Sequence, residues 1–296
     1  MAGNSSTNRP PSPAGLRHLA GGTIGIVGAG QVGGSLVQRL GLLRPAITVI
    51  ATDRNTTLAA KVRRHARWRK SIESVVVESD LVVLAVPGPA IVRLLGDVAR
   101  YAARRRSRRR LLVLDTGTIK GPVVAAAAKH ADTFDFVGLH PIAGVEHNGW
   151  QAARADMFER QTVIYCPAAP RATAIAREFI RLIGAHPVPM DPGAHDARVA
   201  EGIGLPHIVA FAAAGAIAGT PAHRLRAGSW RSLTRVAVSD TAMVAGFLAG
   251  NAGAQLPVLR RFQARLAEIE RRLEDGSVAR LERQLRAWQS AGRRHR

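Results

Sequence analysis

Short apolar runs alternate with amphipathic stretches through the first two thirds of the chain. Four runs have the length and composition of buried strands and end in polar or glycine-containing turns, at residues 24–27, 47–53, 79–88 and 111–121. Helical periodicity falls between them at residues 58–65 and 90–103. This order predicts a parallel sheet with helices on both faces, because parallel neighbours need a crossover connection.

The pattern changes after two further strand-like pieces, TVIYCP and AHPVPMD. From about Asp191 nearly every residue follows a helical period, and the composition becomes rich in alanine, leucine and arginine. One long helix is expected to begin near Asp191 and to kink at Pro206, since proline removes a helical hydrogen bond. The tail from Leu256 to Trp288 predicts one or two amphipathic helices.

These changes of character divide the chain into three parts. Residues 1–21 lack an apolar core and are expected to form a disordered leader. Residues 22–190 predict a strand–helix domain, and residues 191–296 predict a helical domain. A helical half without its own sheet commonly closes a cleft and dimerises, so we expect a homodimer through this part.

The composition narrows the class of partner. A formal net charge of +21 invites a nucleic-acid interpretation, but the excess is scattered arginine, with only four lysines and 4% aromatic residues. The densest cluster, Arg104–Arg110, is therefore expected to be a solvated surface, and nucleic acid is not the predicted partner. A positive field of this kind favours an anionic small-molecule substrate.

Membrane insertion, a disulfide and a metal site are not predicted. The longest apolar run, Ile208–Gly219, falls short of the ~20 residues that a membrane span needs, so we expect a buried core helix. Cys166 is the single cysteine, which excludes an intramolecular disulfide and is typical of a reducing compartment. We therefore expect a cytoplasmic protein.

A glycine-rich turn follows the first predicted strand. Gly28-Ala29-Gly30-Gln31-Val32-Gly33 is a G-x-G-x-x-G between an apolar strand and a helix. The first glycine permits a tight turn, the second lets the backbone approach a pyrophosphate, and the third lets the helix pack on the strand. The helix N-terminus offers free N–H groups to the phosphates. The first half is therefore predicted to be a Rossmann-type, doubly wound dinucleotide-binding domain of the α/β class.

The ribose of the cofactor is predicted to lie near the second strand. Asp53 ends that strand twenty residues after Gly33, and an acid in this position binds both ribose hydroxyls of NAD. Arg54 can instead hold the 2′-phosphate of NADP, so NAD is expected and NADP stays open. The predicted cofactor-binding residues are Gly28, Gly30, Gln31, Val32, Gly33, Asp53, Arg54 and Pro87.

The stretch VGLHPIAGVEHNGW, residues 137–150, fits neither a helical nor a strand period and predicts a loop. It sets His140 against a proline, between glycines. Ligands of open parallel sheets bind at the carboxyl ends of the strands. Pro87, residues 115–120 and His140 are all expected along that edge, which brings the loop beside the nicotinamide.

Three polar features of the helical half can face the same cleft: two histidines and an acid on one helix, two arginines at i, i+4 spacing, and a helix-ending asparagine. They are His195, Asp196 and His207, then Arg231 and Arg235, then Asn251. Taken singly, each is better interpreted as a buried histidine bonded to backbone, a solvated arginine face or a helix cap.

Together these pieces resemble the prephenate and arogenate dehydrogenase family. The similarity runs from Thr23 to about Asn251 and is most specific in four ordered motifs: DTGTIK, GLHPIAGVEHNGW, the HD…LPH helix and TRVAVSD…N. The family joins a nucleotide-binding domain to a helical dimerisation domain. The resemblance implies oxidative decarboxylation of a cyclohexadienol in tyrosine biosynthesis. Hydride passes from the hydroxyl-bearing ring carbon to the nicotinamide, and the ring carboxylate leaves as carbon dioxide.

The resemblance also implies roles for individual residues. His140 matches the catalytic histidine that polarises the ring hydroxyl, a task suited to a group that titrates near neutrality. Thr118 stands where the family usually has serine and keeps a hydroxyl that can orient His140 or bind the substrate. Arg235 matches the arginine that binds the substrate carboxylate. His207 matches the second histidine of the Ser-His-Leu-Pro-His pattern and would line the substrate pocket.

Two further polar residues, Glu146 and Arg231, are candidates for the pocket mouth. Departures from the family pattern gather on the same substrate side. Ile203 and Gly204 replace a serine and a histidine, Val145 replaces a threonine, and SDTAMVAG lacks the usual proline and tryptophan. We expect altered substrate preference more than loss of activity. Prephenate, arogenate and 4-amino-4-deoxyprephenate all stay open as substrates.

Two other interpretations also stay open. A 3-hydroxyacid or imine reductase has a similar two-domain plan but does not account for HPIAG or TRVA. A nucleotide-sensing or nucleic-acid-binding protein that had lost its chemistry would fit Gly204 and the positive charge. Retention of His140, Thr118 and Arg235 favours the enzyme.

Overall fold

A computed structural model describes residues 18–43, 46–105, 107, 109–143, 149–220 and 227–293 of the protein. The chain divides into two compact units, Met1–Asn251 and Ala252–Arg296. This division reflects which residues contact one another in space. The boundary predicted between residues 190 and 191 reflects the change from alternating strands and helices to helices alone, and it stays a prediction.

The first unit is built on a six-stranded sheet. Its strands are β1 (Thr23–Val27), β2 (Thr48–Thr52), β3 (Arg67–Trp68), β4 (Leu81–Leu84), β5 (Leu112–Asp115) and β6 (Asp135–Val137). They lie in the order β3-β2-β1-β4-β5-β6, and every neighbouring pair is parallel. Strands β4 and β5, which have a neighbour on both sides, are buried along their whole length, and this explains their unbroken apolar sequences.

Helices connect these strands and form the outer layers. They are α1 (Gln31–Gly41), α2 (Ala59–Val62), α3 (Ile72–Glu78), α4 (Gly88–Ala102) and α5 (Gly121–Ala128). Two separate apolar clusters, one on each face of the sheet, hold the layers together. The predicted Rossmann-type, doubly wound fold is therefore confirmed.

A second, three-stranded sheet carries the histidine of the predicted loop. Its strands are β7 (Leu139–Pro141), β8 (Thr162–Tyr165) and β9 (His186–Pro189), and α6 (Pro170–Leu182) lies between the last two. Strand β7 runs antiparallel to β8, and His140 pairs with Ile164. The expectation of a loop was wrong at His140, because a three-residue strand between Gly138 and the following turn is too short to show a period. Residues 144–148 lie outside the described residues.

The long helix expected near Asp191 is present. Asp191 caps α7 (Pro192–Val199) by accepting the N–H groups of Gly193 and Ala194. A π-helical turn, Ala200–Gly204, then joins α7 to α8 (Leu205–Ala216). Pro206 has no N–H to donate to a carbonyl one turn earlier, and the widened turn lies just before it, where a kink was predicted.

The burial predicted for this helix was wrong. Only Ala210 is fully buried among the residues of α8, because much of its apolar surface is not covered within one chain. By length and composition alone, the continuous stretch Pro192–Ala216 would suffice to cross a membrane, but core helices of soluble proteins meet the same criterion. The unit ends with α9 (Gly228–Thr234), a 3₁₀ turn (Arg235–Val238) and α10 (Thr241–Gly250).

Residues 18–21, which the sequence assigns to the end of a disordered leader, are held against the first unit. Residues 1–17 lie outside the described residues, but Leu19 is buried in the main apolar cluster. The N–H groups of His18 and Leu19 both donate to the Glu178 carboxylate, at 3.1 and 3.2 Å. Residues 18–21 are therefore anchored to α6, because burying Leu19 brings the preceding backbone within reach of that acid.

The arginine-rich segment ahead of β5 is used within the chain. Arg104 pairs with Glu73 at 2.6 Å, and Arg105 donates to a backbone carbonyl just beyond α3 at 2.7 Å. Arg110 pairs with the carboxylate of Asp135 at 2.7 Å. The Arg105 side chain is only 5% exposed, so the prediction of a uniformly solvated arginine surface was wrong there. These three arginines therefore make ion pairs or hydrogen bonds within the chain.

The second unit consists of two helices, α11 (Ala252–Glu274) and α12 (Val278–Arg293). This confirms the amphipathic helices predicted for the tail. Gly276 adopts φ +62 between them, a conformation that glycine tolerates and that ends a helix readily. The guanidinium of Arg265 lies over the ring of Trp288, 5.6 Å from its centroid.

Candidate active site

The glycine turn has the geometry of a dinucleotide cradle. Gly28 adopts φ +96, and a Cβ there would lie 2.4 Å from the carbonyl oxygen of Ala85. A Cβ on Gly33 would lie 1.9 Å from the carbonyl oxygen of Gly28, so the first turn of α1 packs directly on the turn that precedes it. A Cβ on Gly30 would meet no other atom of the described residues within 4 Å. The open side of the turn is therefore at Gly30, where a phosphate can approach the backbone.

Asp53 lies beside this turn. Its carboxylate accepts the N–H of Ala29 at 2.6 Å and the N–H of Asn55 at 2.7 Å, which fixes both oxygens next to the glycines. The Arg54 side chain is exposed. Gln31 and Val32 form the first turn of α1, where Gly30 gives no side-chain cap to the N–H groups. These residues fit the pyrophosphate and ribose of NAD.

Pro87, the remaining predicted cofactor residue, is exposed and caps the N-terminus of α4. It follows β4, the neighbour of β1 in the sheet, so it lies at the same carboxyl edge as the glycine turn. The position agrees with the predicted edge of the site.

A buried ion pair holds the backbone next to His140. The Lys120 ammonium lies 2.5 Å from the Asp115 carboxylate, and neither side chain is exposed. The ammonium also donates to the carbonyl of Leu139 at 2.7 Å, while the other oxygen of Asp115 accepts the Leu139 N–H at 3.1 Å. Both polar groups of the residue before His140 are thus fixed by one pair of charges. Burial raises the pKa of Asp115, and the Lys120 ammonium opposes that shift.

His140 is bonded to a second histidine. Its Nδ1 lies 2.9 Å from Nε2 of His195, and Nδ1 of His195 lies 2.7 Å from the carboxylate of Asp196. All three are buried, His195 fully and the other two with 7% of their surface exposed. Nε2 of His140 has no hydrogen-bond partner within the part of the chain that the structure describes. One imidazole nitrogen is therefore anchored and the other is available to a ligand.

Asp196 also ties α7 to the sheet domain. Its carboxylate accepts the N–H groups of Lys120 and Gly121 at 2.8 and 2.7 Å, which caps the N-terminus of α5. Its carbonyl accepts the Asn251 side chain at 2.8 Å. Burial raises the pKa of the Asp196 carboxyl, but the bonds from His195 and the two N–H groups outweigh it, and the net pKa lies below the ordinary value.

The surroundings keep His140 neutral. Burial lowers its pKa well below the ordinary value of 6.5, and the electrostatic interactions with Lys120 and His195 lower it further. A neutral imidazole can accept a proton, which a cation cannot. The group is therefore in the form that a general base requires at neutral pH.

Thr118 lies half-buried in the loop between β5 and α5. Its hydroxyl makes no hydrogen bond to any described residue. The hydrogen bond that holds His140 comes from His195, and both roles considered for Thr118, orienting His140 and binding a ligand, stay predictions. The sequence could not show this bond, because the two histidines are 55 positions apart.

His207 lies on α8, just after the π-helical turn. Its Nδ1 is 2.8 Å from the carbonyl oxygen of Ile203, and its ring meets Phe247 edge to face with centroids 5.3 Å apart. Phe247 belongs to an apolar cluster with Ile119, the neighbour of Thr118. A chain of contacts therefore links His207 to the DTGTIK loop.

The two predicted arginines do not share one helix. Helix α9 ends at Thr234, whose hydroxyl bonds the carbonyl of Trp230 at 2.9 Å, and Arg235 begins a 3₁₀ turn. The expectation of one i, i+4 face was wrong, because a β-branched threonine with a bond to its own helix favours a helix end. Arg231 and Arg235 are both exposed. Glu146 lies outside the described residues.

Sequence reasoning assigned no role to four residues that build the site. They are Asp115, Lys120, His195 and Asp196. An adjacent His-Asp pair near a helix start and a lysine at the end of the polar loop after an apolar strand were the available signals. Taken alone, each signal is also common in residues with a purely structural role. Only the tertiary contacts distinguish a structural role from a functional one.

Two family models match this chain. The model described as prephenate dehydrogenase, nucleotide-binding domain, matches residues 40–188. The model described as prephenate dehydrogenase, dimerization domain, matches residues 191–287. The first match includes strands β2 to β8, while β1 and the glycine turn lie ahead of it, and the second match covers most of the helical part.

Individual proteins agree with these models. A cyclohexadienyl dehydrogenase from Zymomonas mobilis is 32% identical over 258 residues, covering 83% of this chain and 86% of the relative. A prephenate dehydrogenase from Lactococcus lactis is 27% identical over 257 residues, covering 82% and 69%. The crystal structure of A. aeolicus prephenate dehydrogenase with hydroxyphenyl propionate and NAD+ superposes with a TM-score of 0.81 at 24% identity, covering 95% of this chain and 100% of that one.

Proposed function

Because this chain belongs to the prephenate dehydrogenase family, as its motifs predict, we propose that it catalyses the NAD-dependent oxidative decarboxylation of prephenate or arogenate in tyrosine biosynthesis. The observation that carries the proposal is the state of His140. It is buried, its Nδ1 is bonded inward, and its Nε2 has no partner among the described residues. A neutral imidazole held in this way suits the polarisation of a ring hydroxyl.

The residues of the site divide the chemistry among them. NAD, when bound at the glycine turn, supplies the hydride acceptor. Nε2 of His140 takes the proton of the hydroxyl on the ring carbon that is oxidised. The ring carboxylate then leaves as carbon dioxide, and the electrons of the broken bond complete the aromatic ring. His140 returns the proton to the phenolic oxygen, so the histidine ends the cycle as it began.

The substrate is an anion, and the positive side chains of the helical part are proposed to receive it. Arg235 binds a carboxylate through its guanidinium fork, and Arg231 lies at the mouth of the pocket. Glu146 stays a candidate from the sequence alone. Thr118 and His207 contact the ring or its side chain. Both arginines are exposed in the single chain, which suits an anion entering from solvent. The dimerization-domain match supports a homodimer through the helices.

A second candidate is the same reaction on 4-amino-4-deoxyprephenate. The observation that favours it is the replacement of two polar family residues by Ile203 and Gly204, beside His207. Ile203 packs against the apolar cluster of Ile119 and Phe247, and its carbonyl takes the Nδ1 proton of His207. Nε2 of His207 is left as an acceptor, and an amine is a good donor for it.

The test is a spectrophotometric assay of reduced-cofactor formation by the purified protein. NAD and NADP are each combined with prephenate, arogenate and 4-amino-4-deoxyprephenate. Turnover of prephenate or arogenate with NAD is the expected result. Turnover of the amino analogue alone selects the second candidate. NAD binding without turnover of any of the three contradicts the proposed reaction.

A further inference from the structure

Two histidines and one aspartate form a continuous hydrogen-bonded chain behind the site. The Asp196 carboxylate lies 2.7 Å from Nδ1 of His195, and Nε2 of His195 lies 2.9 Å from Nδ1 of His140. The two imidazole rings meet edge to face, at an interplanar angle of 79°. The chain therefore joins an interior carboxylate to the base of the proposed reaction through one intervening ring.

With both rings neutral, the Asp196 carboxylate fixes the direction of every bond in this chain. Its oxygens already accept the N–H groups of Lys120 and Gly121, and its pKa lies below the ordinary value, so it is ionised and can only accept. Nδ1 of His195 must then donate to it, which leaves the lone pair of a neutral His195 on Nε2. Nδ1 of His140 must donate to that lone pair. The lone pair of His140 therefore falls on Nε2, the nitrogen that a proton acceptor needs.

We propose that His195 and Asp196 are positioning residues that set the tautomer of His140. We also propose that Nε2 of His195 accepts a proton from His140 when His140 takes one from the substrate. The proposal rests on the proposed function, since the proton is that of the substrate hydroxyl. As Nε2 of His140 takes this proton, the proton on Nδ1 moves to Nε2 of His195. One N–H bond forms and one breaks on His140, and the reverse shift returns a proton to the product oxygen.

The charges around the two rings favour this transfer. The Lys120 ammonium binds the carbonyl of the residue before His140 and acts electrostatically against a second positive charge on His140. A cation on His195 would instead lie 2.7 Å from the Asp196 carboxylate. The charge of Lys120 lowers the pKa of the Cys166 thiol, but burial outweighs this effect and raises that pKa to about 11, so the thiol is neutral. The interior end of the chain is therefore the better place for positive charge.

Nitrogen-15 NMR of the imidazole rings tests the direction of the chain without any substrate. Ring nitrogens that carry a proton are distinguished from those with a lone pair by their chemical shifts. His140→Asn and His195→Gln assign the two rings by the loss of their signals. We expect a protonated Nδ1 and an unprotonated Nε2 in both. A protonated Nε2 on His140 in the unsubstituted protein overturns the proposal, whether or not the proposed substrates react.

Asp196→Ala tests the source of the tautomer. Alanine has no oxygen to accept the Nδ1 proton of His195, so nothing in the hydrogen-bonded chain then holds either ring in one tautomer. We expect the NMR signals to show both tautomers of His140 and kcat to fall about tenfold or more, with NAD affinity kept. A single Nδ1-protonated tautomer of His140 in a folded Asp196→Ala protein overturns the positioning role.

His195→Gln separates orientation from proton storage. The glutamine oxygen can still accept from Nδ1 of His140, but an amide cannot take the proton. We expect the His140 tautomer to be kept and kcat to fall at least about tenfold, while KM changes little. His186→Gln, at an exposed position on β9, is the matched control and should keep full activity. Full kcat in His195→Gln contradicts the role of His195 as a proton acceptor.

Discussion

The ammonium of Lys120 lies 2.5 Å from the carboxylate of Asp115, and both side chains are fully buried. Between them they bond the N–H and the carbonyl of Leu139, so the position of the next residue, His140, depends on a pair of charges that water does not reach. Removing one member of such a pair leaves the other buried without a counter-ion.

Lys120→Met should therefore reduce the free energy of unfolding by about 3–5 kcal/mol, measured by urea denaturation at neutral pH. Lys129→Met, at an exposed position just after α5, is the control and should change it by less than about 0.5 kcal/mol. Adding Asp115→Asn to Lys120→Met should restore part of the loss, because it removes the unpaired charge. Equal stability of the two single variants would contradict the structural weight given to this pair.

The glycines of the turn should separate folding from cofactor binding. Gly30→Ala is expected to leave the free energy of unfolding within about 0.5 kcal/mol, because its Cβ meets no other atom of the described residues within 4 Å and Gly30 has an ordinary φ of −73. Its NAD affinity should fall, since the methyl group enters the space of the pyrophosphate. Gly33→Ala should instead lose roughly 1–3 kcal/mol, because its Cβ overlaps the Gly28 carbonyl. Calorimetric titration with NAD and thermal unfolding measure the two effects. Tight NAD binding by Gly30→Ala would mean that the pyrophosphate does not bind at the glycine turn.

His140→Asn should abolish turnover, lowering kcat about 100-fold or more, while NAD affinity stays nearly unchanged. The asparagine can still bond His195 but cannot accept the hydroxyl proton. Steady-state kinetics and cofactor titration are measured on the same preparation, with His130→Asn, at a position away from the site, as the control. Loss of NAD binding in His140→Asn would assign this histidine a structural role instead.

The pH dependence of activity should reflect the low pKa of His140. Burial, with Lys120 and His195 nearby, holds that pKa well below 6.5, and the neutral form is the active one. As the pH falls, kcat/KM should stay level through 6.5 and decline only well below it. An acid limb centred at or above 6.5 would mean that His140 is solvated or that another group controls the rate.

Arg235→Gln should raise KM roughly 10- to 100-fold, because the substrate carboxylate loses a charged hydrogen-bond donor. The kcat at saturating substrate should change much less. Arg177→Gln, an exposed arginine on α6, removes the same charge elsewhere and should leave KM unaltered. An unchanged KM in Arg235→Gln would remove this residue from the substrate site.

The sequence predicts the elements with strong local signals. The glycine turn, the apolar strands β1, β2, β4 and β5, and the capped start of α7 at Asp191 all follow rules that act within a few residues. Strand β7 was missed because three residues carry no period, and α8 was expected to be buried because its apolar composition does not say what covers it.

The site divides in the same way. His140 and Asp53 stand out by motif and spacing, but the bond from His140 to His195 joins positions 55 residues apart. The ion pair of Asp115 and Lys120 is similarly invisible until the loop between them folds back. Local sequence patterns identify side chains that could take part in catalysis. They do not identify which of these side chains are hydrogen-bonded to one another.

The double use of Asp196 bears on how this protein can be divided or recombined. One carboxylate caps the N-terminus of α5 in the sheet domain and orients the histidine chain from α7. A chain cut before Asp191 would keep the glycine turn. It would lose the cap of α5, the second histidine and the control of the His140 tautomer together. The nucleotide-binding half is thus not a self-sufficient catalytic module, and an exchange of helical halves between relatives would preserve proton chemistry only where the incoming helix brings its own His-Asp pair.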